Sequence, residues 1–120
     1  MTLQFRQVSK QFIVNQQPIN VLDSIDLTLQ KKEVVAIIGA RGCGKSTLLR
    51  LASGLEHAEQ GSILLDGKPL TGILPQISLV FQEARLFPWL TVAQNIALGM
   101  EHRGLSTADK AEQIVGYLSM

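Results

Sequence analysis

Nine consecutive residues in the first half of the chain have the types and the order needed to bind a polyphosphate. Glycines let the backbone turn tightly, with its N–H groups facing inward toward phosphate oxygens. The Lys45 ammonium can reach the outer phosphates, and the Ser46 hydroxyl is a ligand for Mg²⁺. The pattern G-x-x-x-x-G-K-[ST] therefore predicts a nucleotide site at Gly39, Ala40, Arg41, Gly42, Cys43, Gly44, Lys45, Ser46 and Thr47.

The segments on either side of this loop support the same interpretation. Five apolar residues, 34–38, precede the loop, and they predict a central parallel strand that is apolar on both faces. The leucine-rich segment 48–51 predicts a helix that begins near Lys45 and stops at Gly54. In this order, the helix directs the positive end of its dipole at the phosphates.

The rest of the first eighty residues is predicted to be β-structure. Polar and apolar residues alternate over residues 1–30, as in strands with one face in solvent and a turn near Asn15. Residues 61–70 predict a strand that enters an Asp-Gly turn at Asp66. Residues 77–81 predict another apolar strand.

Two helices are expected after Gln82. Thr91 and Gln94 fit a capping box at the start of the first, and Ser106 with Asp109 marks the start of the second. Apolar residues at intervals of three and four give the second helix one apolar face: Ala111, Ile114, Val115 and Leu118.

Composition excludes several classes of protein. The chain has 120 residues and a net charge of +1, which gives no reason to expect a surface for nucleic acid or for an acidic membrane. No stretch approaches the roughly 20 apolar residues of a membrane span. A single cysteine, Cys43, excludes an intrachain disulfide, and exposed side chains are expected for His57 and His102. We expect the chain to stay in the cytoplasm.

The whole chain resembles the N-terminal half of an ATP-binding subunit of an ABC transporter. Several spaced motifs besides the phosphate loop are similar to those of this family: residues 61–67, the Q-loop at Val80-Phe81-Gln82, and residues 86–96. The run from Phe81 to Trp89 is most similar to importers of nitrate, sulfonate or taurine.

The resemblance implies an α/β fold, with a P-loop NTPase core, an antiparallel β-subdomain and the start of a helical subdomain. The expected division is residues 1–32 for the main part of the β-subdomain, residues 33–82 for the P-loop core with its hairpin, and residues 83–120 for the Q-loop exit and the helical start. Some core strands are absent, so we expect an uncovered sheet edge.

The resemblance also assigns site residues. Phe12 corresponds to an aromatic ring that stacks on adenine, although a core phenylalanine is the alternative. Gln82 corresponds to the glutamine that reaches Mg²⁺ and the attacking water. The implied cofactors are ATP and Mg²⁺, with Lys45 and Gln82 as catalytic residues, Ser46 and Gln82 as metal ligands, and residues 39–47 with Phe12 as the ATP site.

A short apolar segment is the implied contact with the membrane-spanning permease subunits. Large apolar side chains are costly on a surface unless a partner covers them. Packing inside the helical subdomain is the alternative. Members of the family also pair with a second ATP-binding subunit and lie on the inner face of the cell membrane. The permease segment consists of Arg85, Leu86, Phe87, Pro88 and Trp89.

The chain departs from the family pattern at two positions and in one region. Lys32 replaces a glycine, and Arg41 replaces a small loop residue. The Walker B strand with its catalytic glutamate, the signature motif and the switch histidine all follow the Q-loop, and the 120 residues contain none of them. Residues 63–66 look like a Walker B strand, but they precede Gln82 and predict a hairpin.

Three hypotheses follow for the function. The chain is a truncated ATP-binding subunit of an importer, a nucleotide-binding module without catalysis, or a different P-loop enzyme such as a small-molecule kinase. Phe12, the Q-loop and the long β-structure predicted for residues 1–30 favour the first hypothesis, a transporter subunit. We expect the chain to bind ATP without hydrolysing it alone, because the catalytic glutamate is absent.

Overall fold

The structure is a computed structural model that describes the backbone of residues 1–120 and all side chains except that of His102. It contains two compact units, Met1–Val80 and Phe81–Met120. His57 is exposed, as expected, and the expectation for His102 lies outside the described side chains. The finer division at residues 32 and 82 stays a prediction.

A four-stranded antiparallel sheet forms the first unit, with its strands in the order β2-β1-β3-β4. The strand β1 is central and pairs with both β2 and β3, so it determines the register of the sheet. This sheet is the antiparallel β-structure expected for residues 1–30 and 61–70. The strands are β1 Leu3–Val14, β2 Gln17–Leu29, β3 Gln60–Leu65 and β4 Lys68–Pro69.

Two tight turns explain why these strands form hairpins. Asn15 and Gln16 have φ of 51° and 63°, and Asp66 and Gly67 have φ of 51° and 77°. Positive φ at both central residues is the mark of the type I′ turn, whose twist matches that of the flanking strands. The predicted hairpin at Asp66 is confirmed, so the segment that resembles a Walker B strand belongs to β3 and its turn.

The helix α1, Lys45–Ala52, follows the phosphate loop and begins at the expected residue. Leu48 and Leu51 are buried in a core cluster with side chains of β1, β2 and β3. The helix ends in a Schellman motif, because Leu55 N–H donates to Arg50 O at 3.0 Å and Gly54 N–H donates to Leu51 O at 3.2 Å. Gly54 is therefore the predicted stop, with φ of 79°.

The strands predicted at residues 34–38 and 77–81 are not formed. Val34 and Ile38 are 94% and 92% exposed, and neither segment is paired into the sheet. A strand needs a hydrogen-bonded neighbour, and no strand of the described backbone pairs with either segment. The apolar pattern predicted burial on both faces, but the described residues supply no neighbouring strand.

The second unit consists of α2, Val92–Leu98, a short 3₁₀ helix, and α3, Thr107–Leu118. Both predicted caps are confirmed. Gln94 N–H donates to Thr91 Oγ1 at 3.1 Å, and its side chain accepts from Thr91 N–H at 2.8 Å. Asp109 N–H donates to Ser106 Oγ at 3.2 Å. Within the described residues, no helix has the length and apolar character needed to cross a bilayer.

Candidate functional site

The phosphate loop has a backbone that side chains would obstruct. Gly42 and Gly44 have φ of 79° and 104°, in the left-handed region that favours glycine. A Cβ on Gly44 would lie 2.9 Å from Val21 O and 3.1 Å from Leu22 Cδ2 on β2. Because the loop approaches the sheet this closely, the glycine at position 44 is required for packing as well as for the turn.

The Lys45 ammonium is held by the loop that it follows. Its Nζ donates hydrogen bonds to Gly39 O at 2.8 Å and Ala40 O at 2.7 Å, and lies 3.6 Å from Cys43 Sγ. Carbonyl oxygens are neutral acceptors, and hydrogen bonds in which both partners are charged are stronger. A phosphate in the loop would therefore compete well for this ammonium.

The amino-terminal end of α1 is open toward the loop. Its N-cap is Gly44, which has no side chain to accept a hydrogen bond, and the first turn carries no acidic residue. The first N–H groups of a helix lack intrahelical partners and carry the positive end of the dipole. Ser46 and Thr47 lie in this turn. Their N–H groups can donate to an anion, and their hydroxyl oxygens can bind a metal ion that accompanies it.

A cavity of about 270 Å³ joins the loop to an aromatic ring. Its walls are Phe12 and Val21 from the sheet, and Gly42 with residues 44–47 from the loop and α1. Phe12 is half-buried and lies outside the buried core cluster. Its place favours the binding interpretation over that of a core phenylalanine, and the role in adenine stacking stays a prediction.

Lys10 is a charged neighbour of Phe12 that the sequence reading missed. Its Nζ lies 3.0 Å from Glu59 Oε1 and 3.3 Å from Glu56 Oε2. The hydrogen bond to Glu59 is the main cause that raises the pKa of Lys10 above its usual 10.5. The only available signal was the spacing of two between Lys10 and Phe12, and the acidic partners lie far along the chain.

Gln82 lies in the second unit, and its side chain is exposed. Its expected part in holding Mg²⁺ and the attacking water stays a prediction. The same holds for Lys45 as a catalytic residue, for Ser46 as a metal ligand, and for Arg41, which is exposed in the loop. Among the described side chains, no cluster of three His, Cys, Asp or Glu forms a separate metal site.

The segment 85–89 presents aromatic side chains to solvent. The rings of Phe87 and Trp89 contact each other with centroids 4.9 Å apart, and Trp89 is 75% exposed. Asn95 fixes the segment, because its Oδ1 accepts from Phe87 N–H at 2.9 Å. The Arg85 guanidinium lies 4.1 Å from the centroid of the Phe81 ring. A cavity of about 300 Å³ lies beside Leu86, Phe87 and Pro88 within this unit.

Comparison with known proteins gives consistent results. The family model described as "ABC transporter" matches residues 22–120. The aliphatic sulfonates import ATP-binding protein SsuB of Bacillus thuringiensis subsp. konkukian is 40% identical over 115 residues, covering 96% of this chain and 46% of the relative. The protein named SsuB 1 of Xanthomonas axonopodis pv. citri is 48% identical over 99 residues, covering 82% of this chain and 38% of the relative.

A solved structure agrees with these relatives. It is the dimeric post-hydrolysis state of the ATP-binding cassette MJ0796 bound to ADP and phosphate, with a TM-score of 0.83 and 25% identity. The similarity covers 98% of this chain and 56% of that one. The expected α/β fold, the first part of a P-loop NTPase of this type, is therefore confirmed. The chain spans less than half the length of the two relatives described above.

Proposed function

The chain belongs to the ABC transporter family, and we propose that it provides the nucleotide-binding part of an importer's ATP-binding subunit. The observation that carries the proposal is the cavity shared by Phe12 and the phosphate loop. The names of the SsuB relatives support aliphatic sulfonates as the imported solutes. Nitrate and taurine remain alternatives from the sequence resemblance.

Each wall of the cavity suits a different part of Mg-ATP. The Phe12 ring stacks on adenine, a contact worth about 1–3 kcal/mol per base in comparable sites. The loop amides and the open end of α1 hold the phosphates. Lys45 exchanges the carbonyls of Gly39 and Ala40 for phosphate oxygens, and Ser46 contributes its hydroxyl to Mg²⁺. When bound there, Mg²⁺ would offset part of the phosphate charge.

Hydrolysis needs groups beyond this cavity. We assign Gln82 to the metal ion and the attacking water, but the general base of the family is not among the 120 residues. The dimeric cassettes that the chain resembles support a second ATP-binding subunit as the partner that completes the site. The chain alone should therefore bind Mg-ATP without turning it over.

The exposed segment 85–89 is proposed as the contact with the permease subunits. Leu86 and Trp89 are among its exposed apolar side chains, and the adjoining cavity is lined mainly by apolar residues. Exposed apolar patches of this kind often mark sites of protein association. This contact would place the subunit at the inner face of the cell membrane.

A binding measurement with Lys45→Ala tests the nucleotide site. Loss of the ammonium should weaken Mg-ATP binding by at least about 100-fold, because a charge-assisted contact to phosphate is worth a few kcal/mol. Isothermal titration calorimetry of the full chain gives the Kd. The matched control is Lys68→Ala, which removes an exposed lysine of β4 and should leave the Kd unchanged. Equal affinity of Lys45→Ala and the parent chain would refute the phosphate-loop assignment.

A turnover assay separates the transporter fragment from other P-loop enzymes. We expect phosphate release far below about 1 s⁻¹, the lower end of ordinary enzymes, because no general base is present. Turnover near that rate by the chain alone would contradict the proposal. ATP-dependent phosphorylation of an added small molecule would instead support a kinase.

A further inference from the structure

The ring of Phe12 carries a fixed positive charge on one face. Lys10 Nζ lies over the ring, 5.2 Å from its centroid. The two residues are two positions apart on β1, so their side chains leave the same face of the strand. Lys10 is only 8% exposed, whereas Phe12 is half-buried and lines the phosphate-loop cavity.

Two carboxylates hold this cation in place. Lys10 Nζ donates to Glu59 Oε1 at 3.0 Å and lies 3.3 Å from Glu56 Oε2. Both acids belong to the segment that follows α1, and Glu59 N–H also donates to Ser9 O at 2.9 Å. The helix that starts at the phosphate loop is thus joined, at its other end, to the strand that carries the ring.

An apolar side chain could fill the Lys10 position at a lower desolvation cost. Burying an ammonium is unfavourable unless carboxylates compensate it. Here Glu56 and Glu59, whose side chains are 26% and 52% exposed, compensate the charge of Lys10. The same arrangement holds the ammonium over the ring of Phe12.

We propose that Lys10, held by Glu56 and Glu59, is a positioning residue that fixes the Phe12 ring for stacking on the nucleotide base. The inference rests on the proposed ATP-binding function. The cation holds the ring by a cation–π contact and draws π-electron density toward itself. The opposite face is then better suited to an electron-rich purine.

The test compares two ligands that differ in the base. Mg-ATP and Mg-tripolyphosphate are titrated into the full chain and into Lys10→Met. We expect the variant to bind ATP roughly fivefold more weakly, the effect of one cation–π contact, and to bind tripolyphosphate as before. Lys10→Arg should restore ATP binding, because guanidinium also lies well over aromatic rings. The control Lys68→Met should change neither Kd.

A double-mutant cycle with Phe12→Leu locates the effect. In the Phe12→Leu background, Lys10→Met should no longer change the Kd of ATP, because the ring through which it acts is absent. If Lys10→Met does not fold, Glu59→Gln serves instead, and a weaker but still base-specific loss is expected. An equal loss for both ligands, no loss for either, or an unchanged effect without Phe12 would each overturn the positioning role.

These outcomes are distinct from failure of the proposed function. A parent chain that binds neither ATP nor tripolyphosphate contradicts the nucleotide site itself. A parent chain that binds ATP through Lys45, but shows no base-specific effect of Lys10, contradicts only the positioning role.

Discussion

Two lysines of the first unit differ in the groups that hold their ammonium ions. Lys45 bonds to the neutral carbonyls of Gly39 and Ala40, which a phosphate can replace. Lys10 pairs with two carboxylates, and the hydrogen bond to Glu59 is the main cause that raises its pKa. A raised pKa adds stability below the usual value of 10.5, and this contribution is lost as pH rises through the folded-state value. Lys10 therefore stays charged and fixed at neutral pH.

Lys32 occupies a backbone conformation that favours glycine. Its φ is 64°, in a turn closed by Glu33 N–H donating to Gln30 O at 3.1 Å. We expect Lys32→Gly to raise the free energy of unfolding by about 0.5–1 kcal/mol, since relief of the left-handed strain exceeds the entropy cost of glycine. Urea unfolding followed by circular dichroism measures the change.

The neighbouring lysine provides the control for this substitution. Lys31 does not have a positive φ, so Lys31→Gly should lower stability through chain entropy alone. Opposite signs for the two variants support strain at Lys32. A destabilised Lys32→Gly would show that the lysine side chain itself supports the turn.

At the scale of elements, caps and turns set the limits of each helix and hairpin. The loop helix α1 begins at a glycine without a capping side chain, whereas α2 begins at a complete capping box. This difference fits the expected roles of the two helices. The first N–H groups of α1 are free of a capping side chain and can donate to a phosphate, whereas those of α2 already donate to the capping box. The Schellman end of α1 then turns the chain toward Glu56 and Glu59.

The capping box of Thr91 and Gln94 should contribute to the stability of α2. Thr91→Ala should destabilise α2 by about 1 kcal/mol, because the N–H of Gln94 loses its acceptor. Hydrogen exchange of the Gln94 amide, measured by NMR, should become severalfold faster. Thr91→Ser keeps the hydroxyl and should retain protection. Equal exchange in Thr91→Ala and the parent chain would mean that the cap contributes nothing to the helix.

Across the whole molecule, the sequence predicted features that depend on neighbouring residues better than features that depend on residues far apart in the chain. The phosphate loop, the start of α1, the stop at Gly54 and both caps depend on neighbouring residues, and the sequence was sufficient for them. The prediction of a strand at residues 34–38 was wrong because a strand depends on a hydrogen-bonded partner, which apolar composition cannot supply. Lys10 was missed because its acidic partners are 46 and 49 positions away along the chain.

The exposed segment 34–38 leads to a prediction about the whole chain. Val34 and Ile38 are almost fully exposed, and unpaired apolar backbone promotes association. We expect the isolated chain to self-associate at concentrations of tens of micromolar, a range in which exposed apolar segments commonly aggregate. Val34→Glu with Ile38→Glu should shift the weight-average mass in sedimentation toward the monomer. Ile73→Glu, an exposed apolar residue outside the segment, should leave association unchanged.

The central position of β1 has a consequence for the order of folding during synthesis. Its hairpin with β2 forms from neighbouring residues, whereas its pairing with β3 closes a long loop that contains the phosphate-binding residues and α1. On the ribosome, the first hairpin can therefore form early, and every residue that lines the nucleotide cavity emerges before β3. The core under α1 is complete only when Ile63 of β3 has joined Leu48 and Leu51.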